Sequence, residues 1–154
     1  MTPTLYFLRS SENKIVENML PYAHPKESEV EKFSSFYGLT PKDLGLYALI
    51  DNTIAGAIWS RILQDDQTPT LSIAILPAFR KKGVASAMME QYLIEAAASY
   101  EALQIDSYDE VSLINFLEKF GFEKEKNSSK MRKILEKREI IRPTDGYDPR
   151  RWMD

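Results

Sequence analysis

Ile75-Leu76-Pro77-Ala78-Phe79-Arg80-Lys81-Lys82-Gly83-Val84-Ala85-Ser86 is the stretch from which the fold can be read. It reads as a buried strand stopped by a proline, then a short basic loop, then small residues opening an amphipathic helix. The first turn of a helix carries backbone N–H groups without intrahelical partners, at the positive end of the macrodipole. Gly83 and Ala85 let an anion approach the main chain closely, and Arg80, Lys81 and Lys82 add positive charge. Together these features predict a cradle for a pyrophosphate. Taken alone, the loop also reads as a basic connector with a glycine before a helix, because charged turns are common.

Downstream of the loop, Ala85, Met88, Met89, Tyr92, Leu93, Ala96 and Ala97 share one helical face, with Glu90, Gln91, Glu95 and Ser99 largely opposite. Leu103 to Ile105 reads as a strand. Leu113, Ile114, Leu117 and Phe120 mark another helix, with Gly121 where a C′ glycine belongs. Phe122 begins a further strand, and Met131 to Leu135 is its hairpin partner.

Upstream, strand periodicity covers Leu44 to Ile50, a turn follows at Asp51-Asn52-Thr53, and Ile54 to Leu63 returns. Gln64 to Pro69 is a polar loop and Leu71 to Leu76 a third strand, which completes an antiparallel meander. Before it, Tyr6 to Leu8 reads as a first strand. Ser10 or Ser11 offers an N-cap to a helix bearing Ile15, Val16 and Met19. Pro21 to Pro25 breaks that pattern, and Val30, Phe33 and Tyr37 predict a second helix over Glu27 to Tyr37. The resulting order is α+β. Residues 1–138 form one domain, and 139–154 an irregular tail with Pro143, Gly146, Pro149 and an aromatic anchor, Trp152.

Composition narrows the function. The 154 residues suit one domain. Apolar residues at 44% and charged residues at 28% give the balance of a soluble globular protein, so extensive disorder is not expected. No apolar run approaches the roughly 20 residues that span a bilayer. Met1 to Arg9 lacks a basic region followed by an apolar stretch, so a signal peptide is not expected either. The absence of cysteine removes disulfides, thiolate nucleophiles and Cys-based zinc sites, and fits a reducing, cytoplasmic setting. A net charge of −3 disfavours nucleic acid as a partner. His24, the only histidine, reads as a surface or loop residue, and no metal site is expected.

The wider pattern resembles a known family. Arg80-x-x-Gly83-x-Ala85 resembles the Gln/Arg-x-x-Gly-x-Gly/Ala signature of the GNAT acetyltransferases, and Ile75 to Phe79 resembles its strand-Pro-x-aromatic lead-in. Phe116-Leu117-Glu118-Lys119-Phe120-Gly121-Phe122 resembles the Tyr-Glu-Lys-x-Gly-Phe element of the same family, at fitting spacing. The resemblance covers roughly residues 4 to 136. It implies the GNAT-type acyl-CoA N-acyltransferase fold, a mixed and mostly antiparallel sheet with helices on both faces. It also implies N-acetyl transfer from acetyl-CoA to an amine.

Site residues follow from it as implications. The main chain of Ile73, Ala74 and Ile75 would pair with the pantetheine amides. Backbone amides of Lys81, Lys82, Gly83, Val84, Ala85 and Ser86, with Arg80 beside them, would hold the pyrophosphate. Phe116 and Lys119 would lie near the nucleotide end. The strand ending at Ile75 would splay from the one ending near Ile105, admitting the coenzyme.

The chain also departs from the family. Leu117 stands where many members have a tyrosine that protonates the departing thiolate, Glu110 stands at an asparagine position, and Thr70 to Leu76 lacks the usual glutamate base. Tyr108 is the candidate substitute acid, though packing explains a tyrosine there as well. Leu117 is expected to pack against the sheet or beside the pantetheine arm. Glu27, Glu29 and Glu31 could attract a cationic amine or form a solvated face, and Phe33, Phe36 and Tyr37 could wall its pocket. Lys124, Lys126, Lys130, Arg132 and Lys133 read as a solvated edge or as contact with an acidic partner. A homodimer through the final hairpin or tail is compatible with the sequence. Two functions stand at this point: an active N-acetyltransferase, and a non-catalytic acetyl-CoA- or coenzyme A-binding sensor or interaction module.

Overall fold

The middle of the chain is organised by a two-residue turn. In the computed structural model, which describes residues 2–9, 13–23, 43–62 and 68–136, Asp51 and Asn52 both take left-handed φ values, 50° and 63°. Two positive φ angles in succession mark a type I′ turn, whose twist suits a tight hairpin and which Asp and Asn tolerate. The described elements in chain order are β1 (Thr4–Phe7), α1 (Asn13–Ala23), β2 (Leu44–Ile50), β3 (Thr53–Arg61), β4 (Thr70–Ile75), α2 (Val84–Ala96), β5 (Ala102–Asp106), α3 (Val111–Lys119), β6 (Glu123–Lys124) and β7 (Lys130–Ile134). A 3₁₀ turn, Pro77–Phe79, joins β4 to the basic loop.

Among the described residues the strands form one sheet in the order β1-β2-β3-β4-β5-β7-β6. Every neighbouring pair is antiparallel except β4 with β5. The expected α+β class and mixed, mostly antiparallel sheet are therefore what the chain adopts.

Strand alternation distributes the core over two faces. Leu46, Ile58 and Leu71 share a core with Met88, Met89 and Tyr92 of α2 and Leu117 of α3. Tyr47, Ala57, Trp59 and Ala74 turn the other way, toward Val16, Met19 and Leu20 of α1. Because both faces are covered, β3 is buried almost continuously from Ala55 to Arg61. Some polar atoms in this interior find hydrogen-bond partners, whereas Trp59 Nε1 is buried without one among the described residues. The Tyr92 hydroxyl donates to Ser60 Oγ, and Ser60 Oγ donates to the Leu44 carbonyl at 3.4 Å. Arg61 lies 3.8 Å from Asp43. Burial pushes its guanidinium pKa down, and the Asp43 charge opposes that shift. Among the described residues no helix is long and apolar enough to cross a membrane.

Three expectations need correction. Helix α1 runs through Pro21 to Ala23. Pro21 forfeits one helical hydrogen bond and crowds the turn before it, but only two helical residues follow it, and Leu20 keeps that turn buried. Glu95 is only 1% exposed rather than facing solvent. It lies three residues after Tyr92, beside the apolar stripe, and is buried with it. The final hairpin is short on one side, because β6 has two residues. The expected second helix at 27–37, its Glu27, Glu29, Glu31, Phe33, Phe36 and Tyr37, the candidate caps Ser10 and Ser11, His24, and the 139–154 tail with Trp152 all lie outside the described residues.

The β2–β3 register shifts between Ala48 and Leu49, leaving Ala55 as the extra residue of a bulge. Its carbonyl accepts the Leu76 N–H at 2.9 Å, which carries β3 contact just past the end of β4. Gly56 follows, opposite Ile75. A Cβ there would sit 2.5 Å from the Ala74 carbonyl oxygen and 2.7 Å from Ile75 Cδ1. Backbone cannot yield without moving β4, so Gly56→Ala is expected to cost about 1–3 kcal/mol as overpacking does. An unchanged denaturation midpoint would contradict that close fit.

Candidate functional site

The parallel pair β4–β5 is latched at one end only. Thr70 faces Gln104 in the single bridged pair. The Gln104 N–H donates to the Pro69 carbonyl at 3.1 Å. The Gln104 side-chain amide donates to the Thr68 carbonyl at 3.2 Å and to Thr70 Oγ1 at 3.3 Å. Beyond this latch the strands part, and β5 pairs through Ala102–Asp106 with β7 on its other side. Splaying of the strand that ends at Ile75 from the one that ends near Ile105 is thus present.

Main-chain direction alternates along β4. The Leu76 N–H bonds to β3, whereas the Pro69 carbonyl faces β5. Ile73 and Ile75 share the parity of Pro69, so their N–H and C=O groups face the open side. Ala74 faces β3 with its main chain and α1 with its side chain. Of the three strand residues expected at the coenzyme, Ala74 therefore offers nothing to the cleft.

The cleft occupies about 600 Å³, within the range of small-molecule sites. Ile73, Ile75, Phe79, Arg80, Lys81, Gly83, Val84, Ala85 and Ser86 line one wall, and Tyr108, Glu110, Ser112, Leu113 and Phe116 the other, with Tyr22 and Ala23 of α1 also contributing. Gly83 caps α2 with φ 78° and ψ 8°. A Cβ on it would meet no atom within 4 Å, so the space over its Cα is open. By position in the helix, the N–H groups of Val84, Ala85 and Ser86 have no intrahelical acceptor. Arg80 Nε donates to the Ile75 carbonyl at 3.2 Å, tying the loop back to the open edge of β4.

The opposite wall begins with another left-handed pair, Tyr108 at φ 51° and Asp109 at φ 57°. Glu110 N–H closes this turn on the Ser107 carbonyl at 3.0 Å. Helix α3 follows and ends in a Schellman arrangement, where Gly121 N–H reaches Glu118 O at 3.0 Å and Phe122 N–H reaches Leu117 O at 3.1 Å. Gly121 takes φ 90°, as its expected C′ place demands. The Phe116 and Phe120 rings lie 5.1 Å apart at a tilt of 54°.

Lys82 and Lys119 are exposed but do not line the cleft. Both are long cations at its margin, where their charge is felt through solvent rather than by contact. Leu117 is fully buried in the core and is likewise absent from the cleft wall. Leu117→Tyr is therefore expected to overpack the core, costing about 1–3 kcal/mol, and to bring no gain in turnover. A faster enzyme would place that side chain at the reacting atoms.

Several cleft residues had no role assigned from sequence. Phe79 sits in the quoted motif, Glu110 was visible as a departure, and Leu113 belongs to a recognised stripe. Tyr22, 45% exposed, carried no signal, since its reading depended on a helix that was expected to stop at Pro21.

The chain matches the family described as "Acetyltransferase (GNAT) family" over residues 9–122. No curated protein matches it. Among solved structures, the ribosomal-protein-S18-alanine N-acetyltransferase of Escherichia coli is similar, with a TM-score of 0.68 at 16% identity, covering 96% of this chain and 100% of that one. A GNAT superfamily phosphinothricin acetyltransferase from Sinorhizobium meliloti, in complex with AcCoA, gives 0.65 at 16% identity and 97% of each chain. A GNAT family acetyltransferase from Elizabethkingia anophelis with acetyl-CoA bound gives 0.62 at 17% identity, covering 86% and 98%. At these identities the likeness concerns the fold.

Proposed function

Because this chain belongs to the acetyltransferase (GNAT) family, we propose that it moves an acetyl group from acetyl-CoA to a primary amine of a small molecule or protein, with the coenzyme in the cleft between β4 and β5. The observation that carries this reading is the parted strand pair, whose main-chain edge at Ile73 and Ile75 faces the gap, with the Ile75 carbonyl accepting from Arg80 Nε, and runs to the open helix end at Gly83. Acetyl-CoA in the two similar bound structures supports it. One similar protein is named for an alanine of a ribosomal protein and another for phosphinothricin, so the acceptor stays open between protein and small molecule.

The residues fit such a coenzyme. The first-turn amides of α2, with Arg80 and Lys81, hold the pyrophosphate. The open edge of β4 pairs with the pantetheine amides, and Phe116 lies toward the nucleotide end. Acetyl-CoA supplies an activated acetyl thioester. The protein supplies position, holding an unprotonated amine against it, and main-chain N–H groups on β4 polarise the carbonyl. Tyr108 holds a proton for the departing thiolate, and water removes the proton of the amine.

A second reading is favoured by the buried Leu117 and by a β4 without a carboxylate. It is a coenzyme A-binding module that senses or docks without turnover. Free thiol release across peptides, polyamines and aminoglycosides separates the two. Turnover with any amine supports the enzyme; tight binding with none across the panel supports the module.

If Arg80 and Lys81 contribute charge, the affinity for coenzyme A is expected to fall as salt rises, since exposed charges are screened over about 8 Å at physiological ionic strength. Calorimetry at low and high salt checks this. Equal affinities would assign the binding to the backbone alone.

A further inference from the structure

An aromatic residue at positive φ crowds its Cβ against the following carbonyl. It stays there only where its surroundings over-determine the conformation. Tyr108, at φ 51°, is such a residue. Of residues 106–109 it is the one that lines the cleft. Its turn is fastened from several directions. Asp106 Oδ1 accepts both the Tyr108 N–H at 2.8 Å and the Ser129 hydroxyl at 2.6 Å. The buried Ser107 hydroxyl donates to the Ser129 carbonyl at 2.6 Å and accepts the Asp109 N–H at 3.2 Å. Lys124 Nζ lies 3.1 Å from Asp109 Oδ1.

We propose that Asp106, braced by Ser129, is a positioning residue that keeps the Tyr108 side chain in the cleft. Its carboxylate fixes the N–H of the strained residue and ties it to the β6–β7 hairpin. Without that acceptor, Tyr108 relaxes toward negative φ and its ring leaves the cleft wall. For catalysis the inference rests on the proposed role of Tyr108 as proton donor; for the placement of the ring it does not.

The test uses protein labelled with 3-fluorotyrosine, the Tyr108 resonance being assigned with Tyr108→Phe. In the wild type that resonance shifts when coenzyme A is added. In Asp106→Ala it is displaced already in the free protein and responds less to coenzyme A. Asp106→Asn keeps an acceptor oxygen and restores the wild-type spectrum. In turnover, Asp106→Ala loses up to about 100-fold in kcat, the scale of a misplaced group, with KM for acetyl-CoA little changed and no further loss in the Tyr108→Phe background. A spectrum of Asp106→Ala identical to wild type, free and bound, overturns the proposal. A small effect of Tyr108→Phe on turnover, with the spectral changes intact, discards the acid role and leaves the positioning. If Asp106→Ala does not fold, Ser129→Ala removes one of the two bonds to Oδ1 and must move the same resonance in the same direction; no movement overturns the proposal.

Discussion

Gly83→Val is expected to weaken coenzyme A binding by about 10- to 100-fold or more, the loss of one or two hydrogen bonds to a charged group at roughly 1.5–3 kcal/mol each. In the proposed binding mode the open space over Gly83 is where an anion reaches the first-turn amides of α2, and valine methyl groups would fill it. Folding is affected separately. At φ 78° an L side chain is strained by roughly 1–2 kcal/mol, more for a β-branched one, but the added Cβ meets no atom within 4 Å. The variant should therefore fold with a lowered melting temperature and can be titrated. Gly83→Ala carries similar strain with less bulk and should fall between. Isothermal calorimetry giving wild-type affinity in folded Gly83→Val would remove the cradle from the helix N-terminus.

Tyr108→Phe is expected to slow acetyl transfer by about 100-fold, the lower range for a general acid. The substitution keeps the ring and deletes the hydroxyl. It should leave coenzyme affinity intact, because the cradle lies on the other wall of the cleft. Turnover at saturating acetyl-CoA, with whichever amine the panel identifies, is the measurement. A loss below about threefold, far under the acid–base range, would discard Tyr108 and leave water as the proton source. The fully buried Leu117 cannot serve, since its side chain has no proton to give.

These two positions differ in how they could be found. The place of Gly83 at the helix start was legible because it is local: a glycine after three basic residues and before small helical ones describes, within a dozen residues, the anion site proposed here. Tyr108 was legible only as a residue just past a strand. That it takes positive φ, is held by Asp106 and Ser129, and lines the cleft depends on a hairpin some twenty residues away. Tyr22 carried no signal at all, because a proline in the last turn of a helix and one at its end look alike in sequence.

The sequence by itself determined what short-range physics controls. Asp51-Asn52 fits the left-handed pair of a tight hairpin, Gly121 closes α3, the apolar stripe places α2 against the sheet, and the basic loop meets the helix at Gly83. Tertiary structure alone decided the rest. Beyond the latch at Gln104 β4 and β5 part, the parity of β4 turns Ile73 and Ile75 but not Ala74 toward the gap, and packing covers Glu95. Strand register and the side of a sheet that a helix covers are set by partners far along the chain, and a cleft between two strands exists only once both have found their other neighbours.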